Sequence, residues 1–425
     1  MKPAPPLGAR ALKGPTMVQR RSCRDEGGTL PATLWALAVG AVVMAPFLGQ
    51  LSTSLLAGRD SQKELREQYS SDSSVEFAIW KLQNDQTYRD SVDVAPGTPI
   101  TVAPAVTVNG ITTTTSSTAV PIGTWTAMAN HPAGVGTGGA LAWNGGDYIY
   151  ALTGNTTTGF RRYSISGNSW TSLAATPATV GAGGALVFVG PDNLYALRGN
   201  NQTTFWRYSI SGNSWTTRAV TPASVRWGGA LAYLSGNFIY ALRGNNSNTF
   251  WRYSISGNSW TSMTNAPANV RDGGALAFAG ADSIYAFRGN NTTAFWLYRI
   301  SGNSWSSQAV SLATVDDGGA LAFTGSDYLF AFRGKTTATA WRYQVSRDLW
   351  IPVATAPASV DPGGALVYAG GNTLYGFQGS GQQSFWRFTI TPPEFDLTST
   401  AGDFTIDARI RINGSTINVL IWDIN

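Results

Sequence analysis

The stretch 226–263, RWGGALAYLSGNFIYALRGNNSNTFWRYSISGNSWTSM, decides the fold because its pattern recurs across most of the chain. Its double glycine returns at a constant step of 45 residues, and the six pairs begin at Gly138, Gly183, Gly228, Gly273, Gly318 and Gly363. A tryptophan keeps the same step, at Trp125, Trp170, Trp215, Trp260, Trp305 and Trp350. Self-similarity at a fixed period indicates an array of equal structural units.

Each unit contains four short runs with the composition of β-strands. In the quoted stretch they are GGALAYLSG, NFIYALRG, TFWRYSIS and WTSM, separated by turns rich in Gly, Asn and Ser. Four antiparallel strands in about 45 residues is the size of one blade of a β-propeller. We therefore predict an all-β fold with one propeller blade for each repeat.

The two ends of the repeat array predict how the ring closes. Residues 125–128, WTAM, read as a fourth strand without partners, and residues 363–391 supply three strands without a fourth. If the N-terminal strand joins the C-terminal blade, residues 122–392 make a complete six-bladed propeller with N-terminal strand closure. The alternative, an open array, leaves both ends of the sheet stack unpaired.

A further set of residues recurs inside the strands. A tyrosine stands seven residues before the tryptophan that follows it, at Tyr163, Tyr208, Tyr253, Tyr298 and Tyr343, with Phe388 in the sixth unit. Strand two is aromatic and aliphatic and ends in a glycine. Over residues 123–391 these units resemble kelch repeats, as found in kelch proteins and galactose oxidase-like propellers. The resemblance implies a kelch-type propeller, and we expect the repeated Trp and Tyr side chains to form its core.

One departure from the kelch pattern is systematic. In the four inner units an arginine replaces the first glycine of the family's strand-two doublet, at Arg198, Arg243, Arg288 and Arg333. The second glycine of the doublet stays in every unit.

Composition argues against several classes of function. Only 12% of the residues are charged, and the net charge of +5 is not gathered into the basic stripe that nucleic-acid binding requires. The only cysteine, Cys23, excludes an intramolecular disulfide, and the only histidine, His131, has no nucleophile marked beside it. A copper site of the galactose oxidase type needs two histidines. We expect no catalytic residue, no metal site and no cofactor.

The N-terminal region predicts a membrane anchor. No charged residue lies between Glu26 and Arg59, and residues 30–56 are apolar enough for one transmembrane helix. Residues 1–29 form a basic tail with six Lys and Arg, so we expect the tail in the cytoplasm and the propeller outside the cell. A cleaved signal peptide is the competing interpretation.

Residues 57–92 predict an amphipathic helix, because Val75, Ile79 and Leu82 fall on one helical face. An apolar anchor that runs into such a helix, with AIWKL near its end, resembles the N-termini of pilin-like envelope proteins over residues 28–90.

Two segments with strand-like alternation flank the propeller. Residues 93–121 precede it, and residues 393–425 follow it with a hairpin signal at Asn413-Gly414. We expect residues 93–121 to pair with the C-terminal β-hairpin in a small sheet beside the amphipathic helix, so that the propeller is an insertion in this flanking module.

Positions that differ between equal blades mark a candidate binding site. The two residues before each double glycine vary most: Gly136-Thr137, Gly181-Ala182, Arg226-Trp227, Arg271-Asp272, Asp316-Asp317 and Asp361-Pro362. We call these six pairs the mouth. They lead into the innermost strands, and the loops after strand two open on the same face. The candidate ligand-binding residues are Arg226, Trp227, Arg271, Asp272, Asp316, Asp317, Asp361, Arg198, Arg243, Arg288 and Arg333.

These side chains suit a polar ligand such as a glycan or a protein segment. The alternative is that neighbouring Arg and Asp only form ion pairs at the rim, worth about 0–1 kcal/mol each. We expect a membrane-anchored, extracytoplasmic binding or adhesion module that is not an enzyme. Two other functions stay open: a sialidase-like glycan hydrolase or lyase, and a structural protein of the envelope or of a pilus.

Overall fold

Two α-helices, one short 3-10 turn and 31 β-strands form the part of the chain that the structure describes. This computed structural model describes residues 60–424 apart from 109, 281, 403, 414 and 415. Six four-stranded antiparallel sheets contain most of the strands. The predicted all-β, six-bladed propeller fold is therefore confirmed.

Both described helices and four short strands precede the repeats. The helices are α1 (Asp60–Asn84) and α2 (Gln86–Asp93). The strands are β1 (Ile100–Thr101), β2 (Thr107–Val108), β3 (Ile111–Thr112) and β4 (Thr114–Ala119). Asp85 separates the helices, because its carboxylate accepts the backbone N–H of Tyr88 and caps the first turn of α2.

The propeller strands follow in chain order. β5 (Thr124–Ala127) comes first. Blade 1 contains β6 (Ala140–Trp143), β7 (Tyr148–Leu152), β8 (Phe160–Ser164) and β9 (Ser169–Ser172). Blade 2 contains β10 (Ala185–Val189), β11 (Asn193–Leu197), β12 (Phe205–Ser209) and β13 (Ser214–Thr217). Blade 3 contains β14 (Ala230–Ala232), β15 (Phe238–Leu242), β16 (Phe250–Ser254) and β17 (Ser259–Ser262).

The second half of the ring repeats this order. Blade 4 contains β18 (Ala275–Phe278), β19 (Ser283–Phe287), β20 (Phe295–Arg299) and β21 (Ser304–Ser307). Blade 5 contains β22 (Ala320–Phe323), β23 (Tyr328–Phe332), β24 (Ala340–Gln344), the 3-10 turn Val345–Arg347 and β25 (Leu349–Pro352). Blade 6 contains β26 (Ala365–Tyr368), β27 (Thr373–Phe377), β28 (Phe385–Thr389) and β5. The last strands are β29 (Glu394–Ala401), β30 (Phe404–Asn413) and β31 (Thr416–Ile424).

The first strand of the array closes the ring. β5 pairs antiparallel with β28, with Trp125 opposite Phe388 and Thr124 opposite Thr389. The outer strand of blade 6 thus comes from the N-terminal end of the array, as the strand count predicts. No blade is left with three strands.

Aromatic side chains fill the space between neighbouring blades. The strand-three tyrosines are fully buried, and the ring centre of Tyr253 lies 4.9 Å from that of Phe205 in the preceding blade. The fourth-strand tryptophans lie less deep than predicted, because only Trp350 among them is fully buried. The strand-three tryptophans are the deeper set, and Trp251 is 1% exposed.

Each fourth-strand tryptophan also joins its blade to the preceding one. Trp260 Nε1 donates to the carbonyl oxygen of Ala219 at 2.9 Å, and the N–H of Ala219 donates to Asn258 Oδ1 at 2.9 Å. Asn258 Oδ1 also accepts the hydroxyl of Tyr253 at 2.7 Å. We call this set of bonds the clasp. It recurs around Trp170, Trp215 and Trp305, and around Trp350 with Asp348 in place of the asparagine.

The flanking strands form their own five-stranded antiparallel sheet in the order β1-β4-β29-β30-β31. β4 precedes the propeller and β29 follows it, and their pairing places Ala119 opposite Phe395. The helix α1 packs on this sheet with Val75, Ala78 and Leu82 fully buried. The propeller is therefore inserted between two neighbouring strands of the flanking module.

Blade 5 departs from the repeat where the flanking module contacts it. Its outer strand β25 reads LWIP and is largely buried, whereas β17 reads SWTS and is largely exposed. Arg347, in the place of the turn glycine Gly257, forms ion pairs with Asp93 at 3.2 Å and with Asp90, both in α2. Burial raises the pKa of Asp93, and the nearby Arg89 guanidinium acts in the opposite direction. These substitutions in one repeat make a joint between blade 5 and α2.

Neither helix within the described residues 60–424 is long and apolar enough to cross a membrane. The predicted cytoplasmic tail 1–29 and transmembrane helix 30–56 lie outside the described residues, as does Gly414 of the predicted hairpin turn.

Candidate binding site at the propeller mouth

The mouth forms a tight ring of backbone at the propeller axis. The first glycine of each pair has a positive φ, as at Gly273 with φ +77°, where a Cβ would meet the Asp316 carbonyl oxygen at 2.2 Å. The same contact joins Gly138 to Gly181, Gly183 to Arg226, Gly228 to Arg271, Gly318 to Asp361 and Gly363 to Gly136. Each mouth pair thus lies against the mouth pair of the next blade. The residues that the sequence predicts to cluster are therefore neighbours in space.

The loops after strand two lie on the same face as the mouth. The backbone N–H of Asn245 donates to the Trp227 carbonyl at 2.8 Å, and that of Asn290 donates to the Asp272 carbonyl at 2.7 Å. Asn245 and Asn246 both have a φ of 55°. Asparagine tolerates this left-handed conformation better than most residues, so backbone geometry is enough to explain the repeated Asn pair.

The four strand-two arginines support the loops that lead into the mouth. The Nε atoms of Arg198, Arg243, Arg288 and Arg333 donate to the carbonyl oxygens of Thr179, Ser224, Asn269 and Thr314 at 3.0–3.1 Å. Within the described residues their Nη groups have no hydrogen-bond acceptor. Each guanidinium is thus held at one nitrogen while the others stay available to a ligand.

Trp227 lies beneath cationic side chains. The guanidinium carbon of Arg226 is 3.3 Å from the centre of the Trp227 ring, and that of Arg271 is 5.4 Å from it. Such cation–π contacts hold a guanidinium in place. Since Arg226 covers a face of the indole, that face is not an open platform for a sugar ring. The indole instead orients Arg226.

The acidic residues of the mouth interact with one another and with Arg271. Arg271 Nε lies 3.2 Å from Asp272 Oδ2, so the predicted ion pair is present. The carboxyl groups of Asp272 and Asp317, from adjacent blades, are within hydrogen-bonding reach. Burial raises the pKa of both groups, and burial together with the Asp272 charge brings the pKa of Asp317 to about 7. Near neutral pH the two carboxyl groups therefore share one proton.

Lys335 adds a cation that the sequence analysis did not assign to the site. It replaces the first Asn of the loop after strand two in blade 5, and its N–H donates to the Asp317 carbonyl at 2.8 Å. Its Nζ donates to Thr314 Oγ1 at 3.0 Å. A cation at a position that is Asn in the four preceding units was the signal that could have found it.

The remaining candidate, Asp361, is buried and closes the acidic side of the ring. Its Oδ2 accepts the Ser359 hydroxyl at 3.3 Å. The mouth, the four strand-two arginines and Lys335 together contain seven cationic side chains and four carboxylates. This face is therefore positive overall, and the shared proton removes one further negative charge.

His131 belongs to the core. It is fully buried, Nδ1 donates to the Ala133 carbonyl at 2.6 Å, and its ring centre lies 4.8 Å from that of Trp170. Burial lowers the pKa of His131 to about 4, so the ring is neutral at physiological pH. Among the described residues, no group of three or more His, Cys, Asp or Glu side chains is arranged to hold a metal ion.

Comparisons with known proteins identify the fold class. No protein-family model and no curated protein matches the chain. The solved structure of YjhT matches with a TM-score of 0.50 at 13% identity, over 69% of this chain and 99% of that one. A structural genomics protein of unknown function from Bacteroides thetaiotaomicron VPI-5482 matches with a TM-score of 0.48 at 12% identity, over 70% and 83%. The RRP9 WD40 repeats match with a TM-score of 0.46 at 10% identity, over 63% and 97%.

At these identities the likeness to YjhT concerns the fold alone. Together with the six sheets and their closure, it places the chain in the class of β-propellers. The fold class does not by itself assign a function, because one fold supports many functions.

Proposed function

We propose that this protein is a membrane-anchored, extracytoplasmic binding or adhesion module, and that its propeller mouth binds a polar ligand, either a glycan or a protein segment. The observation that carries the binding proposal is the cluster of Arg226, Trp227 and Arg271 beside the Asp272–Asp317 pair. Blades 1 and 2 have Gly136-Thr137 and Gly181-Ala182 at the same positions. The polar side chains are thus not needed to build the ring.

The geometry of the ring supports binding at its surface. The backbone contacts between neighbouring mouth pairs bring the central strands close together. At this ring the Arg271 side chain is exposed, and Arg226 and Asp317 are half-buried. Their positions are set before a ligand arrives, because Trp227 holds Arg226 and the loop carbonyls hold the strand-two arginines. Pre-organised groups lose little conformational entropy on binding.

The membrane proposal comes from the sequence and from the helix α1. The apolar, uncharged segment 30–56 precedes α1, and α1 packs on the flanking sheet through Val75, Ala78 and Leu82. An apolar segment followed along the chain by the helix α1 is the order that the pilin-like interpretation predicts.

Membrane extraction tests the anchor. We expect alkaline carbonate to leave the 425-residue chain in the membrane pellet, and to release a variant that lacks residues 30–56. Protease added to intact cells should cleave exposed propeller loops. Release of the unchanged chain by carbonate, or complete protection of the propeller in intact cells, contradicts the anchored and outward-facing placement.

Ligand arrays test the mouth. We expect the chain to retain at least one glycan or peptide ligand, and Arg226→Ala to weaken that binding about tenfold, as expected for a lost charged hydrogen bond. Arg299→Ala is the matched control, since Arg299 is an exposed strand arginine outside the mouth. Equal binding by wild type and Arg226→Ala rejects the mouth as the site.

One feature bears on the glycan hydrolase or lyase alternative. The carboxyl groups of Asp272 and Asp317 are close enough to share a proton. Glycosidases instead separate their two carboxyl groups by about 5 to 9.5 Å, so that the bond to be cleaved fits between them. This close pair favours a binding site over a hydrolytic one, and turnover of any retained glycan by the purified chain would reverse that preference.

A further inference from the structure

We infer that the ligand of the mouth is an anionic polysaccharide with a carboxylate on its repeating sugar, lying along the arc of strand-two arginines. This inference rests on the proposed binding function and specifies the chemistry of the ligand. It follows from three properties of the described residues: the charge of the mouth face, the way its arginines are held, and the polar groups between them.

The net positive charge of the mouth and the loops around it favours an anionic ligand. Seven cationic side chains belong to the mouth, the strand-two arginines and Lys335, against four carboxylates. Two of those carboxyl groups share a proton near neutral pH, which leaves three negative charges. An anionic ligand is attracted to such a surface at long range, and its affinity falls as salt screens the charges.

The cationic and acidic side chains lie in different places, and this determines where an anionic ligand can bind. The acidic residues Asp272, Asp316, Asp317 and Asp361 belong to the ring at the axis. The four strand-two arginines begin the loops of blades 2, 3, 4 and 5, one in each blade. A polyanion that follows these loops meets one guanidinium per blade and avoids the carboxylates at the centre. A compact anion seated on the axis would meet the acidic ring.

The arginines are held in a manner that suits carboxylates. Each donates Nε to a loop carbonyl at 3.0–3.1 Å, which fixes the plane of the guanidinium and leaves its Nη groups without an acceptor among the described residues. A planar guanidinium with free amino groups is the preferred partner of a carboxylate. Because the four sites repeat with the blades, they suit a ligand whose carboxylates also repeat.

The loops between the arginines offer groups for sugar hydroxyls. The loop after Arg198 reads GNNQTT, that after Arg243 reads GNNSNT, and that after Arg288 reads GNNTTA. Asn201 and Asn246 are exposed in these loops. Amides and hydroxyls can both donate and accept, as a polyhydroxylated ligand requires. A stiff polysaccharide repeats both its charge and its hydroxyls, whereas an acidic peptide repeats its charge and backbone amides and has no hydroxyls.

Calorimetric titration of the 425-residue chain tests the inference. The probe is an oligogalacturonate of six sugars, compared with the fully methyl-esterified oligomer of the same length and with a hexaglutamate peptide. We expect the oligogalacturonate to bind at least about tenfold more tightly than the esterified oligomer, with an affinity that falls as sodium chloride rises. Arg243→Gln and Arg288→Gln should each weaken it about tenfold, while Arg299→Gln, outside the mouth, leaves it unchanged.

Three results would overturn the inference. They are equal binding of the charged and esterified oligomers, binding of hexaglutamate in preference to the oligogalacturonate, and equal binding by wild type and Arg243→Gln. If instead the array experiment finds a neutral glycan that Arg226→Ala no longer binds, the mouth remains the binding site and only its preference for a carboxylated polymer is wrong. If no array ligand depends on the mouth, the proposed function fails as well.

Discussion

Asp272 of blade 4 and Asp317 of blade 5 bring their carboxyl groups within hydrogen-bonding reach at the propeller axis. Burial raises the pKa of both carboxyl groups, and Arg271, 3.2 Å from Asp272, acts in the opposite direction. Burial, together with the charges of Asp272 and Asp316, brings the pKa of Asp317 to about 7. The mouth therefore contains a group that titrates near physiological pH.

The first prediction concerns the effect of pH on this pair. The folded-state pKa of Asp317 lies above its ordinary value of 3.8, so as pH rises towards 7 the unfolded chain loses this proton first. The free energy of unfolding of the wild type therefore falls over that interval. Asp317→Asn has no carboxyl group at this position and should not show this decrease. We expect the variant to be more stable by about 1 kcal/mol above pH 7, after discounting for solvent exposure, and equal to the wild type near pH 4.

Thermal unfolding at a series of pH values measures this difference. Asp147→Asn is a control of opposite sign, because hydrogen bonds from Ser164 and Ser166 lower the pKa of Asp147. That variant should be less stable at neutral pH, and the gap should close as pH falls through the folded-state pKa of Asp147. A stability difference for Asp317→Asn that does not change with pH would contradict the shared proton.

The second prediction concerns the glycine ring. Gly273 and Gly280 have almost the same positive φ, +77° and +79°, but a Cβ at Gly273 would meet the Asp316 carbonyl at 2.2 Å, whereas nothing lies within 4 Å of one at Gly280. Gly280→Ala should lower the free energy of unfolding by about 1 kcal/mol through backbone strain alone. Gly273→Ala should lower it by at least about 1 kcal/mol more, because the carbonyl must move.

Urea unfolding of the two variants isolates the close approach from the strain that both share. Equal losses in the two variants would show that the blades are not in contact at this point.

The third prediction concerns the clasp. Asn258 Oδ1 accepts hydrogen bonds from Ala219 N–H at 2.9 Å and from Tyr253 Oη at 2.7 Å, and Asn258→Ala leaves both donors without it. Asn246 has a similar positive φ but is exposed and accepts no such bonds among the described residues, so Asn246→Ala is the matched control. We expect Asn258→Ala to cost about 2 kcal/mol more than Asn246→Ala in urea unfolding.

A smaller effect is expected from the other half of the clasp. Trp260→Phe removes the 2.9 Å bond to Ala219 and keeps an aromatic ring, which should cost about 1–2 kcal/mol. If both clasp variants unfold like the Asn246→Ala control, the clasp does not stabilise the ring.

The fourth prediction concerns the joint between blade 5 and α2. Arg347→Gly restores the glycine of the other repeats and removes the ion pairs with Asp93 and Asp90. Asp93 is 3% exposed, and its ion pair with Arg89 at 3.6 Å remains in the variant. The free energy of unfolding should therefore fall by about 1–2 kcal/mol, less than for a buried charge that loses every partner.

Hydrogen exchange measures where that loss falls. The amides of α2 should exchange faster in Arg347→Gly, while those of blades 1 to 3 should keep their rates. Adding Asp93→Asn to the variant should recover part of the loss, because it removes the carboxylate left behind. Faster exchange spread evenly over the propeller would argue against a local joint.

The repeat period predicted most of the propeller's architecture, because each unit contains the same four strand-like runs in the same order. The constant step from Gly138 to Gly363 and the unpaired strand at Trp125 were sufficient for the number of blades and for the closure. The burial of each tryptophan could not be predicted from the repeat, because each inner unit contains two tryptophans of identical chemistry. Only the packing shows that Trp251 is buried while Trp260 lies at the edge between blades.

The site was predictable in place and not in detail. Variation at the pairs before each double glycine located the mouth, but the partner of each charged group depends on side-chain direction across blades. The stacking of Arg226 on Trp227 and the pairing of Asp272 with Asp317 cannot be derived from spacing along the chain.

The insertion of the propeller between β4 and β29 has a consequence for the order in which the chain can fold. Residues 120–393 must leave the ribosome before β4 meets the strand beside it, and β5 likewise waits for β28. A nascent or truncated chain therefore exposes two strand edges at once, each ready to associate with other polypeptides. Completion of both sheets depends on the last tenth of the protein, so loss of the C-terminus leaves the flanking module unfinished even when every blade has been synthesised.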